Sequence, residues 1–304
     1  MEQIKTASLI GLGAIGAAYG ERLQQHLGNQ FSVLADKRRL ARYAEHGIRI
    51  NGRNARFNYQ SSDENTEPVD LLLFGVKNDQ LAGAIEESRP FIGPDTILLP
   101  LLNGISSEDE LKAAYPENPV LYSMCVGIDA QRKDRDISYS KLGKIVFGTK
   151  DGEYPEAETA VRELFEQADV PFEIPDDIWR EMWWKFMLNV GINQTSSVLR
   201  APYSVFQNVK SARDWLESVM MEVVRISRAV GVNLTEVDIQ RARPVLESLA
   251  PEGKTSMLQD IEHGRKTEVE YMAGKVIELG ERYDVDVPEN RNLLKVIRIL
   301  EKIS

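Results

Sequence analysis

The sequence of 304 residues has one cysteine and three histidines, which argues against several classes of protein. The single cysteine, Cys125, excludes a framework of internal disulfides. With no closely spaced pair among these few ligands, we expect no metal site. No apolar run approaches the ~20 residues that a membrane-spanning helix needs. The remaining composition, 42% hydrophobic and 28% charged, is typical of a globular protein, and the length allows two domains.

An excess of basic residues is also missing. Lysine and arginine total 37 against 47 acidic residues, a net charge of −10, which argues against binding to nucleic acid. The apolar stretch Ala7–Tyr19 follows a lysine, as in a secretion signal, but glycines interrupt it and a charged helical pattern follows. We therefore expect a cytoplasmic protein with a small-molecule ligand and no membrane partner. Its helical half offers surfaces on which a homodimer could form.

Short β-rich runs alternate with helical patterns in the first half of the chain. This alternation predicts βαβ units and a parallel sheet covered by helices. The run Val69–Phe74 lacks polar alternation after Asp70, which favours a central buried strand. The predicted strands are Thr6–Ile10, Phe31–Leu34, Leu71–Phe74, Thr96–Leu99, Val120–Cys125 and Lys144–Gly148. The predicted helices are Ile15–Leu27, Arg38–His46, Gln80–Ser88, Ser106–Ala114 and Glu158–Ala168.

From Asp176 onward only helical patterns remain. We predict an N-terminal Rossmann-like doubly wound α/β domain over residues 1–173 and an all-α domain over residues 174–304. Ligands commonly bind in the cleft between two such domains. The predicted helices of the second domain are Ile178–Leu199, Ala212–Val230, Val237–Leu249, Thr267–Tyr283 and Arg291–Lys302.

A glycine-rich turn follows the first predicted strand, with the spacing G-x-G-x-x-G. Gly11 permits the tight turn, Gly13 lets a pyrophosphate approach the backbone, and Gly16 lets the helix pack on the strand. The next helix presents its N–H groups to the phosphates. A plain glycine turn is the alternative. The residues predicted to bind a dinucleotide are Gly11, Leu12, Gly13, Ala14, Ile15 and Gly16.

The end of the second predicted strand carries opposing signals for the choice between NAD and NADP. Asp36 lies about 20 residues beyond the turn, where a carboxylate accepts hydrogen bonds from a ribose diol and favours NAD. The basic run Lys37-Arg38-Arg39 follows at once and would attract a 2′-phosphate, which favours NADP. The basic run could instead be a solvated helix start. The local sequence leaves the choice open, with Asp36 and Lys37 as cofactor-binding candidates.

Two further loops follow the third and fourth strands of the predicted sheet. Lys77 lies in the first loop and Asn103-Gly104 in the second. Because ligands bind at the carboxyl ends of parallel strands, Lys77 and Asn103 are expected to contact cofactor or substrate. The alternatives are an exposed surface lysine and ordinary turn chemistry.

One helical pattern of the second half is apolar nearly all round except for a polar stripe. Lys185, Asn189 and Asn193 follow the spacing i, i+4, i+8 and therefore share one face. An ammonium and two amides on a buried helix are costly unless their donors and acceptors are occupied. Either a structural network or a ligand could occupy them.

Another polar segment of the second half contains Ser256 and Glu268. Without further information, Ser256 could be a helix cap and Glu268 one half of an ion pair. Together the segments resemble the ketopantoate reductase family over essentially the whole chain. The resemblance rests on the glycine turn, Val76-Lys77, Asn103-Gly104, Trp184-Lys185-Phe186-x-x-Asn189, Ser256-Met257-Leu258-Gln259-Asp260, Gly264-Arg265-x-Thr267-Glu268 and Val287-Pro288-x-Asn290.

This resemblance implies NADPH-dependent reduction of ketopantoate to pantoate on the route to coenzyme A. It implies that Lys185 is the general acid, that Glu268 lies near cofactor and lysine, and that Asn189, Asn193 and Ser256 bind substrate. It also implies that Lys77 and Asn103 contact cofactor, with Asn103 near the substrate as well. Chemistry agrees, because hydride transfer to a ketone leaves negative charge on oxygen, which a positioned ammonium can protonate.

Departures from the family pattern keep other interpretations open. Family members often carry arginine where this chain has Asp36, so NADH is an alternative cofactor. The segments Asn193-Gln194-Thr195-Ser196, Ala201–Phe206 and Tyr271-Met272-Ala273-Gly274 also differ from the common pattern. A reductase of a different small keto acid is therefore the second hypothesis. A dinucleotide sensor without catalysis is the third, although a sensor has no need of Lys185 and Glu268.

Overall fold

A computed structural model describes residues 3–63 and 66–303 of the chain. The chain divides into two compact units, Met1–Ile178 and Trp179–Ser304. Within the described residues, the strands lie in the first unit and the second unit is helical. The predicted fold class, an α/β unit with a parallel sheet followed by an all-helical unit, is confirmed.

The described residues of the first unit form three sheets. Its strands are β1 (Ala7–Ile10), β2 (Phe31–Leu34), β3 (Ile48–Ile50), β4 (Arg53–Ala55), β5 (Tyr59–Gln60), β6 (Leu71–Phe74), β7 (Ile97–Pro100), β8 (Tyr122–Val126), β9 (Gln131–Lys133), β10 (Asp136–Ser138), β11 (Lys144–Gly148) and β12 (Phe172–Glu173). The main sheet has the order β5-β2-β1-β6-β7 and all its pairs are parallel. The smaller sheets have the orders β4-β3-β10-β9 and β12-β11-β8.

The order of the main sheet defines where a ligand would bind. The chain passes from β1 to β2 on one side and later returns to β6 on the other side of β1. This is the topological switch point of an open α/β sheet, and ligands bind in the crevice beyond the carboxyl ends of its strands. The loops after β1, β2 and β6 therefore meet at the expected dinucleotide site.

Alternate residues of each central strand pack into two different apolar clusters. Leu9, Leu71 and Leu73 belong to one cluster, whereas Ile10 and Leu72 belong to the other. Because side chains of a strand alternate between faces, a continuous apolar run is what a sheet covered on both faces requires. The prediction that Val69–Phe74 contains a central buried strand is confirmed, since β6 lies between β1 and β7.

Helices cover the sheet in the first unit and make up the second. The first unit contains α1 (Ala14–Leu27), α2 (Lys37–His46), α3 (Leu81–Ser88), α4 (Ser107–Ala114) and α5 (Pro155–Gln167). The second contains α6 (Ile178–Leu199), α7 (Tyr203–Asn208), α8 (Lys210–Val230), α9 (Glu236–Ser248), α10 (Ser256–Glu262), α11 (Ala273–Tyr283) and α12 (Pro288–Ile303). No helix of the described residues is long and apolar enough to cross a membrane.

Several short elements escaped prediction, among them the two-residue strands β5 and β12. The four-stranded sheet around residues 48–55 and 131–138 has strands of only three residues, several of them polar, which is too short for an alternating pattern to register. The helices α7 and α10 are six and seven residues long and lie between the long helices that were predicted. Tertiary contacts rather than local pattern define such short elements.

The predicted single helix Thr267–Tyr283 is wrong. The structure has a 3₁₀ turn over Val269–Tyr271 and begins α11 only at Ala273. Between them, Met272 has φ −110° and ψ −90°, outside the helical region. Glu268, expected inside a helix, instead lies in the irregular segment just before the 3₁₀ turn. An apolar period of 3.6 residues cannot reveal a break of this kind, because the side chains on either side keep the same phase.

Candidate functional site

The glycine turn has the geometry expected of a dinucleotide loop. Gly11 has φ +101°, and a Cβ there would lie 2.6 Å from the backbone of Gly75 and Val76 in the loop after β6. A Cβ at Gly16 would lie 2.2 Å from the Gly11 carbonyl oxygen, so only glycine permits this contact between helix and turn. The fold itself therefore requires these two glycines, and it brings the loops after β1 and β6 together.

Gly13 is different, because the protein leaves room for a side chain there. A Cβ at Gly13 would lie 3.5 Å from its nearest neighbour, the Gly75 carbonyl oxygen, which is an ordinary contact distance. Gly13 is also the N-cap residue of α1, and no side chain caps the N–H groups of the first turn. A pyrophosphate can therefore approach the uncapped N–H groups at the positive end of this helix without meeting a side chain. These residues fit the dinucleotide that the motif predicts.

Arg132 is a candidate functional residue that the sequence did not reveal. Its guanidinium donates hydrogen bonds to the carbonyl oxygens of Leu12 in the glycine turn and of Asp134. A cation from β9 thus lies at the predicted phosphate loop. No local pattern could have identified it, because Arg132 lies 120 residues away from the turn in a short polar hairpin.

Asp36 and the basic run after it form a network of hydrogen bonds and ion pairs. Asp36 is the N-cap of α2, with its Oδ1 accepting from the Arg39 backbone N–H at 2.8 Å and its Oδ2 3.4 Å from Arg39 Nε. Lys37 Nζ lies 3.2 Å from Asp63 Oδ2. The helix start is exposed, as the alternative interpretation of the basic run expected, but two of its cations, Lys37 and Arg39, are also paired with carboxylates.

The loops after β6 and β7 are tied together by one buried side chain. Asn78, which is 3% exposed, donates from its amide to the backbone oxygen of Asn103 at 2.9 Å. Lys77 is exposed and Asn103 is half-buried. The structure thus joins the two loops that the sequence marked, and Asn78 is the positioning residue that the sequence did not identify.

A fully buried carboxyl lies shortly after the Asn103 loop. Glu108, on the first turn of α4, accepts from the Ser107 hydroxyl at 3.0 Å and from the Ser123 backbone N–H at 3.4 Å. Burial raises the pKa of Glu108 from 4.5 to about 7, although these hydrogen bonds oppose the shift. The native protein therefore retains a proton here at pH values where the unfolded chain has released it.

Glu108→Gln is expected to stabilise the protein at pH 8 and to have little effect at pH 5. Because the pKa of this carboxyl is higher in the folded protein than in the unfolded chain, the folded protein loses stability as the pH rises from about 4.5 to about 7. The loss amounts to at most ~3 kcal/mol, and a neutral glutamine avoids it. Thermal unfolding of both proteins at the two pH values tests this, with exposed Asp109→Asn as control. An equal change in melting temperature at both pH values would contradict the expectation.

The polar stripe of the second unit lies on one continuous helix, α6. Lys185 and Asn189 are half-buried, and Asn193 is 6% exposed. The Asn193 amide donates to the Met272 thioether at 3.8 Å, and sulfur is a weak acceptor, so the amide retains capacity for a ligand. Lys185 interacts with other residues of the chain. The three residues of the predicted stripe thus lie on one helix, and none of them is fully exposed.

The rotation of α6 about its axis is fixed near both ends. Near its start, Arg180 Nη2 donates to both carboxylate oxygens of Asp238 on α9, at 2.8 and 2.9 Å, and Trp184 Nε1 donates to the Asp238 carbonyl oxygen. Further along, Gln194 donates to Asn290, whose own amide donates to the buried carboxylate of Glu222. These bonds determine the direction in which the polar stripe points.

Ser256 is not the helix cap that the alternative interpretation allowed. Thr255 caps α10, its Oγ1 accepting from the Leu258 backbone N–H at 3.2 Å and lying 2.7 Å from the Ser196 hydroxyl. Ser256 is the first residue of α10 and is exposed. Its hydroxyl is therefore not needed to begin the helix, and a role in ligand binding is consistent with its position.

The segment that contains Glu268 is held in place by hydrogen bonds from the preceding residue, Thr267. The backbone N–H and hydroxyl of Thr267 donate to Glu301 at 2.8 and 2.6 Å, and Tyr271 N–H donates to the Glu268 carbonyl oxygen. The Glu268 side chain is half-buried and interacts with other residues of the chain. Among the described residues, no group of three or more histidine, cysteine or acidic side chains could hold a metal ion.

Two family models match this chain and together cover most of it. The first, ketopantoate reductase PanE/ApbA, matches residues 8–152, and the second, ketopantoate reductase PanE/ApbA C terminal, matches residues 177–301. The class is that of oxidoreductases acting on CH–OH groups. The chain belongs to the ketopantoate reductase family.

Individual relatives are distant but extend over nearly the full length. The chain is 24% identical over 284 residues to the uncharacterized oxidoreductase YkpB of Bacillus subtilis, covering 92% of this chain and 93% of that one. It is 26% identical over 304 residues to a 2-dehydropantoate 2-reductase of Halobacterium salinarum, covering 96% and 97%.

Solved structures with the same fold carry more than one activity. A 2-dehydropantoate 2-reductase from Methylococcus capsulatus has a TM-score of 0.84 at 26% identity, covering 98% of this chain and 97% of that one. A D-mandelate dehydrogenase in a ternary structure with NADH and anilino(oxo)acetate has a TM-score of 0.87 at 21% identity, covering 98% and 99%. The second likeness concerns the fold alone.

Proposed function

We propose that this chain reduces a small 2-keto acid with a reduced nicotinamide dinucleotide, and that ketopantoate is the first candidate substrate. The observation that carries the proposal is the polar stripe of α6, an ammonium and two amides on one face of a stretch, Met182–Asn193, that is otherwise apolar. Membership of the ketopantoate reductase family supports it. On this proposal the product is pantoate, a precursor of coenzyme A.

The first unit is proposed to bind the dinucleotide. The uncapped start of α1 and the open approach at Gly13 would hold the pyrophosphate, with Leu12, Ala14 and Ile15 completing the turn. Lys77 and Asn103 would contact the cofactor from the neighbouring loops. When bound, the reduced nicotinamide supplies the hydride that attacks the keto carbon.

Lys185 is proposed as the general acid. As the carbonyl carbon accepts the hydride, the keto oxygen gains the electron pair of the broken π bond and takes a proton from Lys185 Nζ. The product is a 2-hydroxy acid, and Lys185 regains its proton from solvent. Glu268 is proposed to keep Lys185 protonated and oriented and to lie near the cofactor. A positioned proton donor of this kind usually contributes roughly 10²–10⁴-fold to the rate.

Neutral side chains are proposed to bind the rest of the substrate. The Asn189 and Asn193 amides and the Ser256 hydroxyl can hold a carboxylate or hydroxyl without adding a competing charge to the site. Asn103 is the remaining substrate-binding candidate. Asn193 suits this role because its present acceptor, the Met272 thioether, is weak.

A keto acid other than ketopantoate is the second candidate substrate. Gln194 occupies one of the positions that differ from the family pattern, and its amide donates to Val190 and Asn290 within the helical unit rather than toward a ligand. A neighbour in fold is named a D-mandelate dehydrogenase, which acts on a different 2-hydroxy acid. A non-catalytic dinucleotide sensor has less support, because Lys185 and Glu268 are both retained.

A substrate panel separates these candidates. Oxidation of NADH or NADPH is followed by the fall in nicotinamide absorbance with ketopantoate, phenylglyoxylate and pyruvate as substrates. The first proposal expects the highest kcat/KM with ketopantoate. A higher value with another keto acid supports the second candidate, and dinucleotide binding without any turnover supports the sensor.

Ser256→Ala is expected to raise KM for the keto acid by roughly ten-fold, the cost of one lost hydrogen bond to a charged group, and to leave KM for the dinucleotide nearly unchanged. Steady-state kinetics with each substrate varied in turn measures both constants. Thr255→Ala is the matched comparison, because Thr255 is the cap: that variant should lose about 1 kcal/mol of folding stability. If Ser256→Ala raised KM for the dinucleotide instead, Ser256 would not hold the substrate.

A further inference from the structure

The carboxylates around the start of α2 bear on the choice of dinucleotide. The site in question is the dinucleotide site of the proposed function. Ile10 of β1 pairs in parallel register with Leu34 of β2, and the chain after β2 leads directly into Asp36. In a fold of this kind, the residue after the second strand faces the ribose of the adenosine half. The expected position of this ribose thus follows from the fold and the glycine turn and does not depend on the acidic residues.

Three carboxylates surround this position. Asp36 is half-exposed at the N-cap, and the Asp63 carboxylate lies 3.2 Å from Lys37 Nζ. Glu87, on α3, has a side chain only 17% exposed, and its Oε2 lies 4.0 Å from Arg39 Nη1. Lys37 and Arg39, two of the three cations that could have attracted a 2′-phosphate, are thus already paired with carboxylates.

Glu87 differs from the surface acids in its surroundings. Its Oε1 is buried and has no hydrogen-bond partner among the described residues. Burial raises the pKa of Glu87; Arg39 opposes this, and the charges of Asp36 and Asp63 raise the pKa further. The charges of Asp36 and Asp63 therefore already disfavour the ionised form of Glu87, and a phosphate dianion placed beside it would add to that repulsion.

We propose that the dinucleotide of this chain is NADH, and that Asp36, supported by Glu87 and Asp63, rejects the 2′-phosphate of NADPH. The inference rests on the proposed function, because it concerns the same nucleotide site. Asp36 keeps lone pairs that can accept hydrogen bonds from the two ribose hydroxyls while it caps α2. In NADPH one of those hydroxyls is replaced by a dianion, which removes a donor and introduces repulsion. On this proposal NADH takes the place of the NADPH that the family resemblance implies.

Direct binding measurements test this without any keto acid. The fluorescence of NADH or NADPH is titrated with the wild-type protein and with Asp36→Asn, which retains a good helix cap and loses the charge. The wild type should bind NADH roughly ten- to a hundred-fold more tightly than NADPH, and Asp36→Asn should remove most of that difference. Glu87→Gln should narrow the difference by a smaller factor.

Two neighbouring residues provide further variants: Glu86 serves as the control, and Arg38 tests whether the site holds a 2′-phosphate instead. Glu86→Gln changes the adjacent, exposed acid, which is paired with Arg89 at 2.7 Å, and should leave the NADH-to-NADPH ratio as it was. NADPH binding as tight as NADH binding in the wild type would overturn the proposal. So would a loss of NADPH affinity alone in Arg38→Gln, because Arg38 would then hold the 2′-phosphate. Failure to bind either dinucleotide would instead overturn the proposed function.

Discussion

Replacement of Lys185 by alanine should lower kcat by roughly 10²–10⁴-fold, the usual contribution of a general acid. The keto oxygen would then gain negative charge with no positioned proton donor. Binding of the dinucleotide should persist, because the proposed nucleotide contacts come mainly from the first unit. Steady-state turnover and a fluorescence titration of the dinucleotide measure the two effects separately.

A second variant and a control make this test specific. Lys185→Met keeps most of the side-chain volume on α6 and should lose as much activity as the alanine variant, which excludes a packing defect as the cause. Lys210→Ala removes a lysine of α8 that is exposed and paired with Asp214, and it should retain activity. Turnover near the wild-type value in both Lys185 variants would show that another group protonates the keto oxygen.

The second large effect is expected from Gly13→Ala. The fold leaves ordinary contact distance for a Cβ at this position, so the apoprotein should keep its stability. A methyl group would, however, occupy the space through which the pyrophosphate approaches the start of α1. Overpacking of this kind costs about 1–3 kcal/mol, so dinucleotide affinity should fall by roughly ten- to a hundred-fold. Thermal unfolding and dinucleotide titration distinguish the two properties.

Other glycines provide the comparison. Gly11→Ala should destabilise the apoprotein itself, because Gly11 has φ +101° and its Cβ would collide with backbone atoms. Gly83→Ala, within α3 with nothing nearby, should be stabilising by about 0.5–1 kcal/mol and should bind dinucleotide normally. Unchanged dinucleotide affinity in Gly13→Ala would mean that the turn does not hold the pyrophosphate.

Much of the fold could be predicted because its central elements carry strong local patterns. The strands Phe31–Leu34 and Leu71–Phe74 and the helix Ile178–Leu199 have the predicted bounds, since each is a long or strongly apolar run. The strands of the four-stranded sheet could not be predicted, because a run of three residues forms a strand only through its partners. The break at Met272 was missed for a related reason: backbone angles there depend on contacts that the apolar period does not encode.

The candidate site was predictable where a motif has a fixed spacing and not where distant segments meet. The glycine turn and the stripe of Lys185, Asn189 and Asn193 depend on spacing within one element. The approach of Arg132 to the Leu12 carbonyl and of Glu87 to Arg39 depends on the folded chain. The adjacent hydroxyls of Thr255 and Ser256 show the limit most clearly, because only the structure reveals which of them caps α10.

The most direct test of the account is the oxidation of NADH by the wild-type protein and by Lys185→Met, with ketopantoate and other 2-keto acids as substrates. The account predicts that the wild type consumes one NADH for each 2-hydroxy acid formed, and that Lys185→Met binds NADH but turns over roughly 10²–10⁴-fold more slowly. If the wild type binds NADH yet reduces no 2-keto acid, or if both proteins react equally fast, the reductase mechanism proposed for Lys185 is wrong.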